Sequence, residues 1–134
     1  MNVGLDTSVV LRLLTGEPEN QAVLALTEVQ AAMQKGDSVL VSDMVVSEAY
    51  FALQYHYGVP KEESLAVLAR FLTESGVRPL GVAASVLTTP NLARSNPGFV
   101  DRMIHAEYSQ STGELLTFEK SAGRLPGVRV LSAS

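Results

Sequence analysis

Four acidic residues occupy places where an alternating α/β chain would present chemistry: Asp6, Glu48, Asp101 and Glu119. Asp6 directly follows the apolar run Val3 to Leu5, and Glu119 comes two residues past Thr117, at the end of Leu115-Leu116-Thr117. Asp101 falls in the first turn of a helix predicted from Phe99. Glu48 lies three residues after Val45 and four before Ala52, on or beside the apolar stripe of another predicted helix. Ionised carboxylates seldom enter a core unpaired. Two of them ~6 Å apart at an effective dielectric of ~20 repel by about 3 kcal/mol. Four in one pocket would have to take up protons or bind a divalent metal. With no cysteine and no histidine pair at ligand spacing, oxygen-only ligation fits Mg²⁺ or Mn²⁺ better than zinc.

Each acid also has a structural reading. Asp6 can cap the helix that follows it, as can Thr7 or Ser8. Glu48 can sit at the edge of its stripe and reach water. Asp101 and Asp43 can stabilise helix N-termini. Glu119 can be a polar loop residue beside Lys120. The arrangement says more than any one acid: two follow strands, one opens a helix and one lies on the apolar side of a helix.

The elements that must position them follow from pattern. Val3 to Leu5, Val39 to Val41, Glu114 to Thr117 and Val128 to Leu131 are short apolar runs bounded by turn residues, suited to strands covered on both faces. Val77 to Val82 is a fifth candidate, interrupted by Pro79. Helical spacing predicts helices over Asn20 to Lys35, Ser42 to Tyr57, Pro60 to Ser75 and Phe99 to Thr112, the last two closed by Gly76 and Gly113. Gly81 to Gly98, small and polar with Pro90 and Pro97, is the longest weakly structured stretch. Strands alternating with helices imply a parallel sheet flanked by helices, with ligands beyond the carboxyl ends of its strands. The expected fold class is therefore α/β, with a short parallel sheet of four to five strands. At 134 residues the chain reads as one domain.

Composition removes several function classes. The absence of cysteine excludes disulfide staples, thiolate zinc, iron–sulfur ligation and a cysteine nucleophile. No signal peptide or membrane-spanning run is evident, so the expected location is cytoplasmic. The net charge of −4, from ten basic and fourteen acidic residues, argues against gripping nucleic acid by bulk positive charge. Four acids gathered around metal would leave ten of each sign on the remaining surface. Ser8, Ser42 and Ser47 have no base at an interpretable spacing, and Gly58-Val59-Pro60-Lys61 lacks the phosphate-loop pattern. His105, four residues after Asp101, reads as a polar helix position, and His56 as compensation of a helix C-terminus.

Gly4-Leu5-Asp6-Thr7-Ser8 with Arg12, then Ser47-Glu48, Phe99-Val100-Asp101 and Leu115-Leu116-Thr117-Phe118-Glu119-Lys120, together resemble the PIN domain, and most of all the VapC-type toxins of toxin–antitoxin pairs. The likeness runs over essentially the whole chain. It implies a small Rossmann-like sheet and a Mg²⁺- or Mn²⁺-dependent endoribonuclease that leaves 3′-hydroxyl and 5′-phosphate ends. Asp6, Glu48, Asp101 and Glu119 would then be the catalytic, metal-holding residues, with Asp6 and Asp101 the firmest ligands. Thr7, Ser8 and Thr117 would orient those carboxylates, and Arg12 and Lys120 are candidate contacts to flanking phosphates. Arg94, Arg102 and Arg124 are further candidates. The family usually has Asp where this chain has Glu119, one methylene longer. The resemblance also implies an RNA substrate, a homodimer and a cognate antitoxin protein, with the apolar faces of Asn20 to Lys35 and Pro60 to Ser75 as candidate interfaces. Two rivals stand beside it. A phosphoacceptor with Asp6 as nucleophile would want a second Asp where this chain has Ser8. A catalytically weak or inactive PIN module would bind RNA or a protein partner without cutting.

Overall fold

The computed structural model describes residues 1–133. The first strand, β1 (Asn2–Gly4), leads through Leu5 and Asp6 into α1 (Thr7–Thr15) and α2 (Glu19–Gln34). Then come β2 (Ser38–Val41), α3 (Asp43–Tyr55), α4 (Lys61–Glu74) and the two-residue β3 (Arg78–Pro79). Proline has no N–H to give a ladder, which keeps β3 short and at a sheet edge. The stretch from Gly81 to Gly98 is more ordered than its composition suggests: it holds the one-turn helix α5 (Ala83–Val86) and a 3-10 turn at Leu92–Arg94. α6 (Phe99–Ser109), β4 (Leu115–Thr117), a 3-10 turn (Lys120–Arg124) and β5 (Val128–Val130) complete the chain.

All strand pairs are parallel, as alternation with helices requires, but they form two sheets. One has the order β1-β2-β3, with Val3 opposite Val39 and Leu40 opposite Arg78. The other is β4-β5, with Leu116 opposite Arg129. The single sheet of four to five strands expected from the sequence is thus divided between β1 and β4.

The core lies against the three-stranded sheet. Val39 and Val41 are buried in it, with Val46, Ala49, Tyr50 and Leu53 of α3 and Leu65, Leu68, Phe71 and Leu72 of α4. α4 thereby uses its apolar face inside its own chain. α2 covers less: Val29 and Ala32 are buried, whereas Val23, Leu24 and Leu26 remain exposed. α6 is anchored at its first residue, where buried Phe99 meets Tyr50 edge-on at 5.0 Å between ring centroids. Phe99→Ala is expected to cost about 3–5 kcal/mol, the range for a buried aromatic that leaves a cavity. Denaturant unfolding measures it.

Candidate active site

Asp6 holds the N-cap position of α1 in extended backbone (φ −78°, ψ 161°), and its carbonyl accepts from Val9 and Val10 N–H at 3.1 Å each. Its side chain makes no capping hydrogen bond. The carboxylate is exposed and takes one intramolecular hydrogen bond, from Ser8 Oγ at 3.2 Å. The capping reading therefore accounts for the position of Asp6 in the backbone but leaves its charge free.

One residue on, Thr7 Oγ1 donates to Glu48 Oε1 at 2.7 Å. This bond spans the start of α1 and the middle of α3 and sets the Glu48 carboxylate beside the C-terminal end of β1. Glu48 itself is exposed, while its neighbours Val46, Ala49 and Tyr50 are buried. It stands at the edge of the stripe rather than within it, which removes the desolvation cost of an inward-facing carboxylate.

Asp101 lies in the first turn of α6, exposed to solvent. Glu119 is engaged locally. It caps the 3-10 turn after β4, accepting from Ser121 N–H at 3.4 Å and Ser121 Oγ at 3.0 Å. Thr117 Oγ1 accepts from the Glu119 backbone N–H at 3.0 Å, so it fixes the main chain of Glu119 rather than its carboxylate. None of these four acids is in an ion pair among the described residues.

The structure brings Asp6 and Glu48 to one edge through adjacent Thr7. It does not gather all four acids: among the described residues, no group of three or more His, Cys, Asp or Glu side chains is arranged to hold a metal ion. The donor types suit a hard divalent cation, but the single chain does not close them into a coordination shell.

Of the basic candidates, Arg12 Nε donates to Gln21 Oε1 at 2.7 Å, and Lys120 is exposed beside Glu119. Arg102 is tied to the loop before α6 through Nε, which bonds Ser95 Oγ and the Pro97 carbonyl at 2.8 Å each. Arg124 Nη1 reaches the Asn96 carbonyl at 3.4 Å. His105 Nε2 lies 2.6 Å from the Pro126 carbonyl oxygen and ties α6 to the start of β5.

Of the two roles the sequence suggests for Asp43, capping and compensation of the helix dipole, the structure keeps its place in the first turn of α3 and gives the cap to its neighbour. Ser42, not Asp43, caps α3, accepting from Val45 N–H at 3.3 Å. Asp43 instead receives the backbone N–H groups of Val82 (2.9 Å) and Ala83 (3.0 Å), which fastens α3 to the loop after β3. Gly81 leaves room for this tie: a Cβ on it would collide with the Asp43 carboxylate, which would have to move. No local pattern announces this tie, since an acid in a first helical turn has an adequate explanation without it.

The PIN domain family model matches residues 3–127. This chain belongs to the PIN domain family. Searches of curated proteins and of solved structures return no match. PIN domains are generally metal-dependent nucleases, and the parallel strands flanked by helices conform to that family's α/β class. Within this PIN domain, the acids at the C-terminal ends of β1 and β4 lie where an α/β sheet places its ligands. Among the described residues, no helix is long and apolar enough to cross a membrane.

Proposed function

We propose that this PIN domain is a divalent-metal-dependent endoribonuclease, the toxin component of a toxin–antitoxin pair, and that Asp6, Glu48, Asp101 and Glu119 are its metal-holding acids. The observation that carries this is Asp6. It occupies a cap position yet keeps its carboxylate out of the cap, exposed next to Thr7, which bonds Glu48. A carboxylate that does only structural work at a helix start would accept from the amides two or three residues on. The reaction class is hydrolysis of an RNA phosphodiester, with Mg²⁺ or Mn²⁺ supplying electrophilic assistance when bound. The residues of the chain orient and concentrate negative charge for that ion: Ser8 steadies Asp6 and Thr7 steadies Glu48. Lys120 is the better placed of the two candidate phosphate contacts, because Arg12 is engaged by Gln21.

Incubation of a mixed RNA pool with the protein and Mn²⁺ tests this reading. Cleavage that disappears with chelator and in Asp6→Asn and Asp101→Asn supports it; cleavage undiminished in both variants overturns it. Thr7→Val, which removes the donor to Glu48, is expected to lower the rate about 10- to 100-fold, the range for supporting partners of a metal site. Thr7→Ser should retain most of it, as measured by initial rates on one fluorogenic RNA. The second reading, a PIN module that binds RNA or protein without cutting, draws on Glu119, whose carboxylate is engaged by Ser121. Binding without cleavage under every metal condition would favour it.

A further inference from the structure

We propose that the outer face of α3 is a stacking platform that holds single-stranded RNA beside the Glu48 carboxylate, with bases lying on Phe51 and Tyr55. At about 100° per residue, Met44, Glu48, Phe51 and Tyr55 fall within roughly 60° of one another around the helix. Val46, Ala49 and Leu53, all buried, occupy the opposite side. Met44 is 75% exposed, Tyr55 80% and Phe51 43%. Single apolar residues at a surface are ordinary, but a contiguous row on one helix face marks an interaction surface. α3 therefore has two apolar faces, one spent on the core and one turned to solvent.

The outer rings are arranged for flat ligands. Phe51 and Tyr55 are stacked, with centroids 6.4 Å apart and planes inclined by 20°. Phe51 is backed by the ring of Tyr50, 5.2 Å away and tilted by 60°. Tyr50 is buried and meets Phe99 edge-on, so the platform is braced from the core. Glu48 belongs to the same row, and Thr7 Oγ1 holds its carboxylate. At 1.5 Å rise per residue, Phe51 stands about 4.5 Å and Tyr55 about 10.5 Å along the helix from Glu48. A strand advancing about 3.4 Å per nucleotide covers that span with roughly three bases. α6 repeats the order: exposed Ile104 and Tyr108 follow Asp101 at the same intervals of residues at which Phe51 and Tyr55 follow Glu48.

Charge decides among the occupants. The centre of a protein interface is depleted in charged residues. Glu48 interrupts this row and has no ion-pair partner among the described residues. An apolar partner or a second copy would strip water from that carboxylate, at a cost nothing there offsets. A base stacked beside it leaves it hydrated. The chain carries a net charge of −4, which is unsuited to holding RNA mainly by counterion release. Stacking on aromatic rings needs no net positive charge of the protein and tolerates any base. That the bound strand is a substrate rests on the nuclease reading above; the stacking face itself does not.

Anisotropy of a labelled short oligouridine RNA, titrated with the protein under chelator so that no strand is cut, measures the binding. Tyr55→Ala is expected to weaken it roughly 5- to 150-fold, with most of the affinity restored in Tyr55→Phe. The loss should be similar at every salt concentration, because no phosphate contact is removed. Phe51→Leu, which keeps an apolar side chain over Tyr50, should lower affinity in the same direction. Thermal unfolding of each variant checks that the fold is retained. Near-ultraviolet cross-linking of a thiouridine-substituted strand should place the adduct between Met44 and Tyr55. Variants that bind like the parent overturn the proposal, as do an adduct confined to other segments and a parent that binds no strand. A solution mass of twice 14.3 kDa that falls to 14.3 kDa in Tyr55→Lys overturns it in favour of a second copy on this face. Cleavage by a parent whose affinity ignores Tyr55 and Phe51 removes stacking alone. Ring-dependent binding in a protein that cuts under no metal condition removes the nuclease reading alone.

Discussion

Asp6→Asn is expected to reduce metal-dependent RNA cleavage by on the order of 10²- to 10³-fold while leaving the fold intact. The substitution is nearly isosteric. The Asp6 side chain makes no capping bond, and its one partner among the described residues, the exposed Ser8 Oγ, can also donate to an amide oxygen. Stability should therefore change little, within the ±0.5 kcal/mol usual for surface positions. What changes is charge: an amide is a poor ligand for a hard divalent ion. Electrophilic assistance by such an ion amounts to several kcal/mol of transition-state stabilisation, and each 1.36 kcal/mol is tenfold in rate. Initial rates at saturating Mn²⁺, beside thermal unfolding of the same preparations, separate the two effects. An Asp6→Asn protein that unfolds like the parent and cuts like the parent would remove Asp6 from the chemistry. One that unfolds early would move its role to the fold.

The largest stability effect outside the core is expected at Asp43. Its half-buried carboxylate receives two backbone N–H groups from the Val82-Ala83 segment, and bonds to a charged acceptor are worth about 1.5–3 kcal/mol each. Asp43→Ala removes both and leaves the Val82 and Ala83 donors without that acceptor, for an expected loss of about 3 kcal/mol or more. Gly81→Ala should destabilise by a similar route. Its new Cβ would occupy the space of the Asp43 carboxylate, so the carboxylate must move and surrender the same bonds. The two changes share one cause and must couple: in an Asp43→Ala background, Gly81→Ala should cost far less than alone. A double-mutant cycle by denaturant unfolding reads this directly. Additive penalties would show that Gly81 is constrained by something other than Asp43.

The PIN assignment and the proposed nuclease chemistry set different demands on the molecule. The proposed chemistry gives the acids that follow strands a role. The local geometry explains why two of them are available: the cap at α1 is made without the Asp6 carboxylate, and Thr7 positions Glu48 from the neighbouring residue. Glu119 differs, being held at its own turn by Ser121.

Much of this protein was legible from its residues in order. The apolar runs at Val3, Val39, Leu115 and Val128 became strands, and the helices from Asn20, Ser42, Pro60 and Phe99 appeared with small changes at their ends, because period and capping act over a few neighbouring residues. The α/β class followed from alternation, and the positions of the acids from their distance past each run. Tertiary structure alone decided what those local rules do not contain. It split the sheet between β1 and β4, since edge pairing joins residues more than a hundred positions apart. It gave Asp43 to Val82 and Ala83, bonded Arg102 to Ser95 and Pro97, and left the Asp6 carboxylate out of the cap it occupies. Such choices are settled by packing and by which donors are left without water, and neither is written in any single stretch of sequence.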